Sequence, residues 1–181
     1  MSGHNKWSKI KRKKEVSDSQ KSRVFTKLVR LIQVESKKAN GDMNSPGLKT
    51  AIEKAKKENM PSDNIERAIK KGASPDGSNM ESITYEAYGP SGVGIIIETL
   101  TDSRNRTFAE IKHILTKNNS SIAQVGAVKW AFEKKENEWV PKTTVNATKE
   151  DIIKIEKLMD DLGENEDVQE IFVNIKDEIE Q

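Results

Sequence analysis

The residues best suited to chemistry in this sequence are cationic and stand near its start. Residues 1–40 carry twelve Lys/Arg against three Asp/Glu, a net charge of +9. A block of one sign favours a polyanionic partner, and nucleic acid is the usual one. One aromatic side chain, Trp7, lies among these charges, where it could stack on a base. The alternative interpretation is a solvated tail that only keeps the protein in solution.

Two arginines stand at the start of a predicted helix, in the run from Asp102 to Thr107. Guanidinium groups beside the free N–H groups of a helix start could grip a phosphate. Alternatively, Asp102 or Ser103 caps the helix while the arginines are exposed or pair with nearby acids. The spacing leaves both open. The residues predicted to contact nucleic acid are Lys6, Trp7, Lys9, Lys11, Arg12, Lys13, Lys14, Lys21, Arg23, Lys27, Arg30, Arg104 and Arg106.

Residues for catalysis or metal binding are scarce. Two histidines cannot form a His-rich cluster, and zero cysteines exclude thiolate chemistry. No Gly-x-Ser-x-Gly elbow or Gly-Lys-Ser/Thr loop occurs. We expect His113 to be partly buried and structural, and the carboxylates at 160–161 and 164–167 to form a solvated loop. The sequence therefore predicts no enzyme, no metal and no cofactor.

Composition and charge divide the chain. Residues 1–77 have a net charge of +10 and residues 78–181 a net charge of −8. We interpret 1–77 as a basic arm and helical domain, and 78–181 as a second domain, joined by a Ser/Pro/Gly/Asn-rich linker at 73–79. No segment approaches the roughly 18 apolar residues of a membrane helix, and no signal-peptide core follows Met1. We therefore expect a cytoplasmic protein without a membrane partner.

Hydrophobic periodicity predicts three short helices after a mobile arm at 1–16. The first follows Ser17-Asp18, and its Lys21, Lys27, Arg30 and Lys38 should extend the positive surface. The second opens at Ser45-Pro46, with a cap and a first-turn proline. For the third, the spacing of Asp63 and Glu66 predicts a capping box.

From residue 83 onward the pattern predicts strand-strand-helix-strand-strand-helix-strand. Such an order is typical of an α+β domain with helices on one face of a mixed or antiparallel sheet. The Gly-x-x-Gly run at 89–92 matches the clamp of KH domains, but it lies between strands, so a hairpin turn is the better interpretation. The predicted inward residues of the first helix here are Phe108, Ile111, Ile114 and Leu115. The later strands are predicted at 128–132, 139–145 and 168–173.

Several motifs resemble those of one family over essentially the whole chain. They are Gly3-His4-Asn5-Lys6-Trp7, Phe25-Thr26-Lys27-Leu28, Ala51-Ile52-Glu53-Lys54-Ala55-Lys56, Asn59-Met60-Pro61, Asp63-Asn64-Ile65-Glu66-Arg67, Tyr85-Glu86-Ala87-Tyr88-Gly89-Pro90, Leu100-Thr101-Asp102, Arg104-Asn105-Arg106-Thr107 and Asp167-Val168-Gln169. This set is similar to the YebC/PmpR family. The resemblance implies a DNA-binding transcriptional regulator, although some family members are translational activators that act on the ribosome.

The sequence departs from that family at one place. The family has a third domain inserted within the second, whereas residues 133–142 here are too few to form a domain. We therefore interpret the chain as a two-domain form that lacks the insertion.

Three interpretations of function follow. The chain could be a regulator that binds duplex DNA, but no helix-turn-helix recognition helix is evident. It could instead be a translation factor that binds ribosomal RNA or tRNA and relieves stalls, since a lysine-rich arm suits shape-led RNA recognition. Third, it could be a protein-interaction module whose basic half serves solubility. Its oligomeric state is not evident from the sequence.

Overall fold

The computed structural model describes residues 18–77 and 79–176. Within them the chain forms five α-helices and six strands, an α+β fold as predicted. Their bounds are α1 (Asp18–Lys38), α2 (Pro46–Lys57), α3 (Ser62–Ala73), β1 (Glu81–Tyr88), β2 (Gly94–Thr101), α4 (Arg104–Lys117), β3 (Ser121–Ile122), β4 (Phe132–Lys135), β5 (Glu138–Pro141), α5 (Lys149–Gly163) and β6 (Val168–Val173). The predicted arm at 1–16 lies outside the described residues.

These elements divide into two compact units. The helical unit contains the described part of residues 16–82 together with Leu100–Ser103. The α+β unit contains residues 83–99 and the described part of 104–181.

The core of the helical unit lies where α1, α2 and α3 meet. Ile32, Leu48 and Ala55 are each fully buried there, with Ala51, Ile65 and Ala68 nearly so. Pro46 opens α2 at its first turn, as predicted, but Ser45 makes no side-chain capping bond. The predicted capping box is also wrong, because α3 begins at Ser62 and its N-cap position is Pro61, two residues before Asp63.

The main sheet of the α+β unit has the strand order β3-β1-β2-β6, with β1–β3 and β2–β6 antiparallel. Its alternating residues Tyr85, Ala87, Ile95 and Ile97 pack against α4 and α5 on one face. This confirms the predicted placement of the helices on one face. Because β2 is buried on both faces, its sequence reads as a nearly continuous apolar run.

The second face of this sheet is closed by a loop and a hairpin. Ile96 and Phe172 point to this side and pack against Val128, Ala131 and Phe132. The hairpin is the antiparallel pair β4–β5, in which Phe132 lies opposite Pro141. Trp139 of β5 packs on the same cluster, and its Nε1 donates to Glu98 Oε1 at 2.9 Å.

The predicted strand at 128–132 is wrong for most of its length. Residues Lys129–Ala131 form a 3₁₀ turn, and β4 begins only at Phe132. The buried carboxylate of Glu86 explains the turn, because it accepts hydrogen bonds from the N–H groups of Gly126, Val128 and Lys129 at 2.7–2.9 Å. A strand would direct alternate N–H groups away from any single acceptor.

The inward side of α4 also differs from the prediction. Thr107, Ile111 and Leu115 are its buried residues, whereas Phe108 is 42% exposed and Ile114 is half-buried. His113, expected to be partly buried, is exposed. Compared with the prediction, the buried side of α4 is shifted toward Thr107, because the Thr107 hydroxyl donates to buried Asp167 at 2.6 Å.

We predict that Gly72→Ala destabilises the helical unit, although alanine normally favours a helix interior by about 1 kcal/mol. A Cβ there would meet the Gln33 carbonyl oxygen and lie 2.8 Å from Ser36 Cβ, so α1 and α3 must separate. The expected cost is about 1–3 kcal/mol, measured by urea unfolding followed by circular dichroism. Gly47→Ala is the matched control, because its Cβ meets only the movable carboxylate of Glu35. Equal stability of both variants would contradict the close α1–α3 packing.

We predict that Glu86→Gln costs about 1–3 kcal/mol at pH 7, because an ionised acceptor of three backbone N–H groups becomes neutral. Burial alone would raise the pKa of Glu86, but the N–H groups of Gly126, Val128 and Lys129, with the Lys129 ammonium, lower it below its ordinary value of 4.5. The carboxylate therefore stabilises the fold above about pH 4.5, and this contribution disappears as pH falls through the lowered pKa. Chemical unfolding at pH 7 and at pH 3 should show the difference between parent and variant shrinking. A constant difference would contradict an ionised Glu86.

Candidate nucleic-acid interface

Six of the thirteen residues predicted to contact nucleic acid are described by the structure. The other seven, Lys6, Trp7, Lys9, Lys11, Arg12, Lys13 and Lys14, lie outside the described residues. On α1, Lys21 is exposed and lies 3.9 Å from Asp18, while Arg23 and Arg30 are half-buried. Lys27 is only 8% exposed, so the expectation that it extends the positive surface is wrong. The exposed contribution of α1 is therefore smaller than its sequence indicates.

The ends of α1 and α3 are brought together by close backbone packing. Ser36 is fully buried and its hydroxyl donates to the Ile69 carbonyl at 2.7 Å. Gly72 packs on the backbone of Gln33, where any larger residue would be excluded. The last turns of both helices therefore lie at the same end of the unit.

This arrangement gathers four lysines, Lys37, Lys38, Lys70 and Lys71, which we call the basic end. Lys38 pairs with Glu35 at 2.7 Å, and Lys37 is exposed like Lys38. Lys70 and Lys71 are exposed, and neither makes an ion pair with any residue in the described ranges. Two ammonium groups at this end are thus available to phosphate oxygens.

A second group of lysines lies along α2. Lys49, Lys56 and Lys57 are spaced i, i+7, i+8, so they share one side of the helix. All three are exposed and lack an ion-pair partner within residues 18–77 and 79–176. We call them the basic stripe of α2.

The basic end and the basic stripe are not evident from the sequence, and helix electrostatics explains why. Lysines in the last turn stabilise a helix by interacting with its dipole, and α1, α2 and α3 all have lysines in their last turns. This pattern therefore carries no functional signal by itself. Only the α1–α3 packing shows that two of these lysine-bearing ends lie together.

Arg106 is held by an acid of its own unit. Its Nη2 lies 3.0 Å from Oδ2 and 3.3 Å from Oδ1 of Asp167, which also accepts from Thr107. The Asp167 side chain is 4% exposed and the Arg106 side chain 43% exposed. The expectation that Asp167 belongs to a solvated loop is therefore wrong. Of the two alternatives for the arginines, Arg106 follows the one that pairs it with a nearby acid.

The surroundings of this pair extend the network away from Arg106. The Asp167 N–H donates to Asn165 Oδ1 at 2.9 Å, and Asn165 Nδ2 donates to Glu110 at 2.7 Å. Arg104 is exposed at the first position of α4. Arg106 therefore joins α4 to the start of β6.

Neither a clustered set of metal ligands nor a membrane-spanning helix occurs among the described residues. Among the described residues, no group of three or more His, Asp or Glu side chains lies close enough together to hold a metal ion. No helix in those ranges is both long and apolar enough to span a membrane.

Asp160 and Asp161, expected in a loop, lie in the last turns of α5. The pKa of Asp161 is lowered mainly by a hydrogen bond from Asn118.

Two family models match nearly the whole chain. Residues 5–75 match the TACO1/YebC protein N-terminal domain, and residues 80–137 and 133–175 match the TACO1/YebC second and third domain. The chain belongs to the TACO1/YebC family. This confirms the resemblance seen in the sequence motifs.

Relatives of this family carry regulatory names. A probable transcriptional regulatory protein of Desulfosudis oleivorans is 44% identical over 98% of this chain and 73% of its own length. One from Thermoanaerobacter pseudethanolicus is 37% identical over 243 aligned positions, covering 99% of each chain. The crystal structure of a conserved hypothetical protein from Aquifex aeolicus matches with a TM-score of 0.80 and 30% identity, covering 93% of this chain and 96% of that one.

We predict that Asp167→Ala and Arg106→Met differ in cost, because their burial differs. Removing Asp167 leaves Thr107 and Arg106 without their acceptor and should cost about 1–3 kcal/mol. Removing Arg106, whose head group is partly solvated, should cost at most about 1 kcal/mol. Urea unfolding of both single variants and the double variant measures their coupling. An Arg106→Met variant of parental stability that loses nucleic-acid affinity would instead support the phosphate-gripping alternative.

Proposed function

We propose that this chain is a non-enzymatic, nucleic-acid-binding regulatory protein whose helical unit and arm bind the phosphate backbone of DNA in transcriptional regulation. The observation that carries the proposal is the set of exposed lysines on α2 and α3 that form no ion pair within the described ranges. The regulatory names of its relatives agree with it. The proposed division of labour assigns binding to residues 1–77 and a supporting role to residues 78–181.

The charge balance supports this division. Residues 18–77 alone carry thirteen Lys/Arg against eight Asp/Glu, and the arm adds six Lys/Arg against one Glu. Residues 78–181 carry twelve Lys/Arg against twenty Asp/Glu. A polyanion is therefore attracted to one part of the chain and repelled by the other.

The residue types favour backbone contact over base reading. Lysine is a compact point charge suited to phosphate oxygens, whereas base edges are read mainly by Arg, Asn and Gln. The exposed cations of the basic end and of the basic stripe are all lysines. The proposed binding is thus governed by the shape and charge of the backbone, with little dependence on base sequence.

A second candidate partner is structured RNA of the ribosome. It is favoured by the same lysine surfaces, because backbone-led contact does not require a major groove wide enough for a helix. In this case the chain would be a translational activator that binds ribosomal RNA or tRNA.

We predict that Lys70→Gln/Lys71→Gln weakens duplex binding and reduces the slope of log affinity against log salt by about 2, one for each lysine that no longer neutralises a phosphate. Lys112→Gln/Lys149→Gln is the matched control. It removes the same charge from exposed positions of the α+β unit, one in α4 and one at the start of α5. Fluorescence anisotropy of a labelled random duplex, titrated from low to moderate salt, gives both slopes. Equal slopes for the two variants would place binding outside the basic end.

The nature of the partner is tested separately. Sedimentation of the parent with ribosomes through a sucrose gradient, in competition with random duplex DNA, compares the two targets. Retention on ribosomes despite excess duplex would favour the translational role, and release would favour DNA. A parent protein that binds neither at low salt would overturn the proposed function.

A further inference from the structure

Three large apolar side chains of the α+β unit are exposed, one at the end of β1 and two in the segment between β3 and β4. Tyr88 at the end of β1 is 39% exposed, Val125 is 89% exposed and Trp130 is 61% exposed. We call these three residues the aromatic tip. Exposure of a tryptophan forgoes favourable burial, and a group of exposed apolar side chains is typical of a surface that contacts another molecule.

The aromatic tip is held in a fixed geometry. The Tyr88 hydroxyl and the Trp130 indole N–H both donate to the Ala127 carbonyl, at 2.7 and 2.8 Å. The same loop is fastened to β1 by Glu86, whose buried carboxylate accepts three of its N–H groups. Both side chains are therefore oriented before any partner arrives.

These internal bonds also define what the tip can recognise. The donors of Tyr88 and Trp130 are used within the loop, so the ring faces are what remains for a partner. A ring face recognises another flat, unsaturated ring by stacking, which does not depend on hydrogen-bond pattern.

The chain segment that carries Val125 and Trp130 has no acidic residue, unlike most of its unit, and this composition favours a polyanion. From His113 to Phe132 the chain contains two lysines, Lys117 and Lys129, and no Asp or Glu. The nearby Glu86 is buried, bonded to three N–H groups and 3.8 Å from the Lys129 ammonium. The excess acids of this unit lie elsewhere in the sequence, mainly in α5 and between residues 164 and 180.

We propose that the aromatic tip stacks an unpaired base of single-stranded nucleic acid on Trp130, with Tyr88 and Val125 bordering the base. This proposal rests on the proposed function, because it names a second contact for the same class of partner. It adds a distinction between strands, since a base within a duplex has no free face to offer. The tip would therefore select single-stranded or unstacked segments without selecting their sequence.

Two substitutions of Trp130 separate stacking from the structural role of the indole. Trp130→Leu removes the ring and Trp130→Phe keeps one, while neither can form the bond to Ala127. Binding of the full chain to labelled (dT)₁₂ and to a 12-base-pair duplex is measured by anisotropy at low salt. We expect Trp130→Leu to weaken (dT)₁₂ binding roughly tenfold and Trp130→Phe by no more than about threefold. Duplex binding should stay at the parental level for both, and both should melt with the parent.

The outcomes distinguish this proposal from the proposed function. If (dT)₁₂ binding is unchanged in Trp130→Leu while the parent still binds duplex, the aromatic tip is not a stacking site and the proposed function stands. Equal weakening in the Leu and Phe variants would assign Trp130 to loop structure and overturn stacking. If the parent is a dimer in sedimentation equilibrium and Trp130→Leu dissociates that dimer, the aromatic tip is an interface between copies. This result would also overturn the stacking proposal. If the parent binds (dT)₁₂ through Trp130 but binds no duplex, the stacking proposal is supported and the duplex-binding proposal fails.

Discussion

The carboxylate of Glu86 is the interaction on which one face of the α+β unit's sheet depends. It lies on the face of the sheet opposite the helices, where an ionised group must be matched by donors to remain buried. The N–H groups of Gly126, Val128 and Lys129 supply that match. By fixing these three residues, one side chain bends the loop over the sheet, buries Val128 against Ile96 and leaves Trp130 at the surface. The core on this face and the exposed tip therefore have the same cause.

The two units use their charges differently. In the α+β unit, several carboxylates hold structure together: Glu86 fastens a loop, Asp167 joins Arg106 to Thr107, and Asp161 accepts from Asn118. Several of its cations are drawn into such contacts, as in the pair of Lys134 with Glu98 at 3.5 Å. In the helical unit the cluster between the three helices is apolar, and the lysines of the basic stripe make no ion pair within the described ranges.

Local patterns predict most elements but not the contacts made by polar side chains. The last strand has its predicted bounds, because its apolar run is visible in the local sequence. The turn at Lys129–Ala131 resembles a strand in sequence because its cause, Glu86, lies about forty residues earlier. Asp167 resembles a solvated acid because Thr107 and Arg106, which bury it, come from another element. The basic end is hidden from sequence for the same reason, since it exists only where α1 packs on α3.

The hairpin β4–β5 shows how the chain keeps a closed core although it is shorter than its relatives. The alignment with the Thermoanaerobacter relative runs over 243 positions for 181 residues and reaches both ends, so the extra residues of that relative lie inside. The matched stretches of the second and third domain meet at 133–137, within the hairpin. Here the Lys134 ammonium lies 5.2 Å from the centroid of the Trp139 ring, and the Trp139 indole N–H donates to Glu98. The hairpin therefore covers the sheet face with its own residues. Because neither the lysines of α2 and α3 nor the aromatic tip belongs to this hairpin, both proposed contacts are independent of the missing segment.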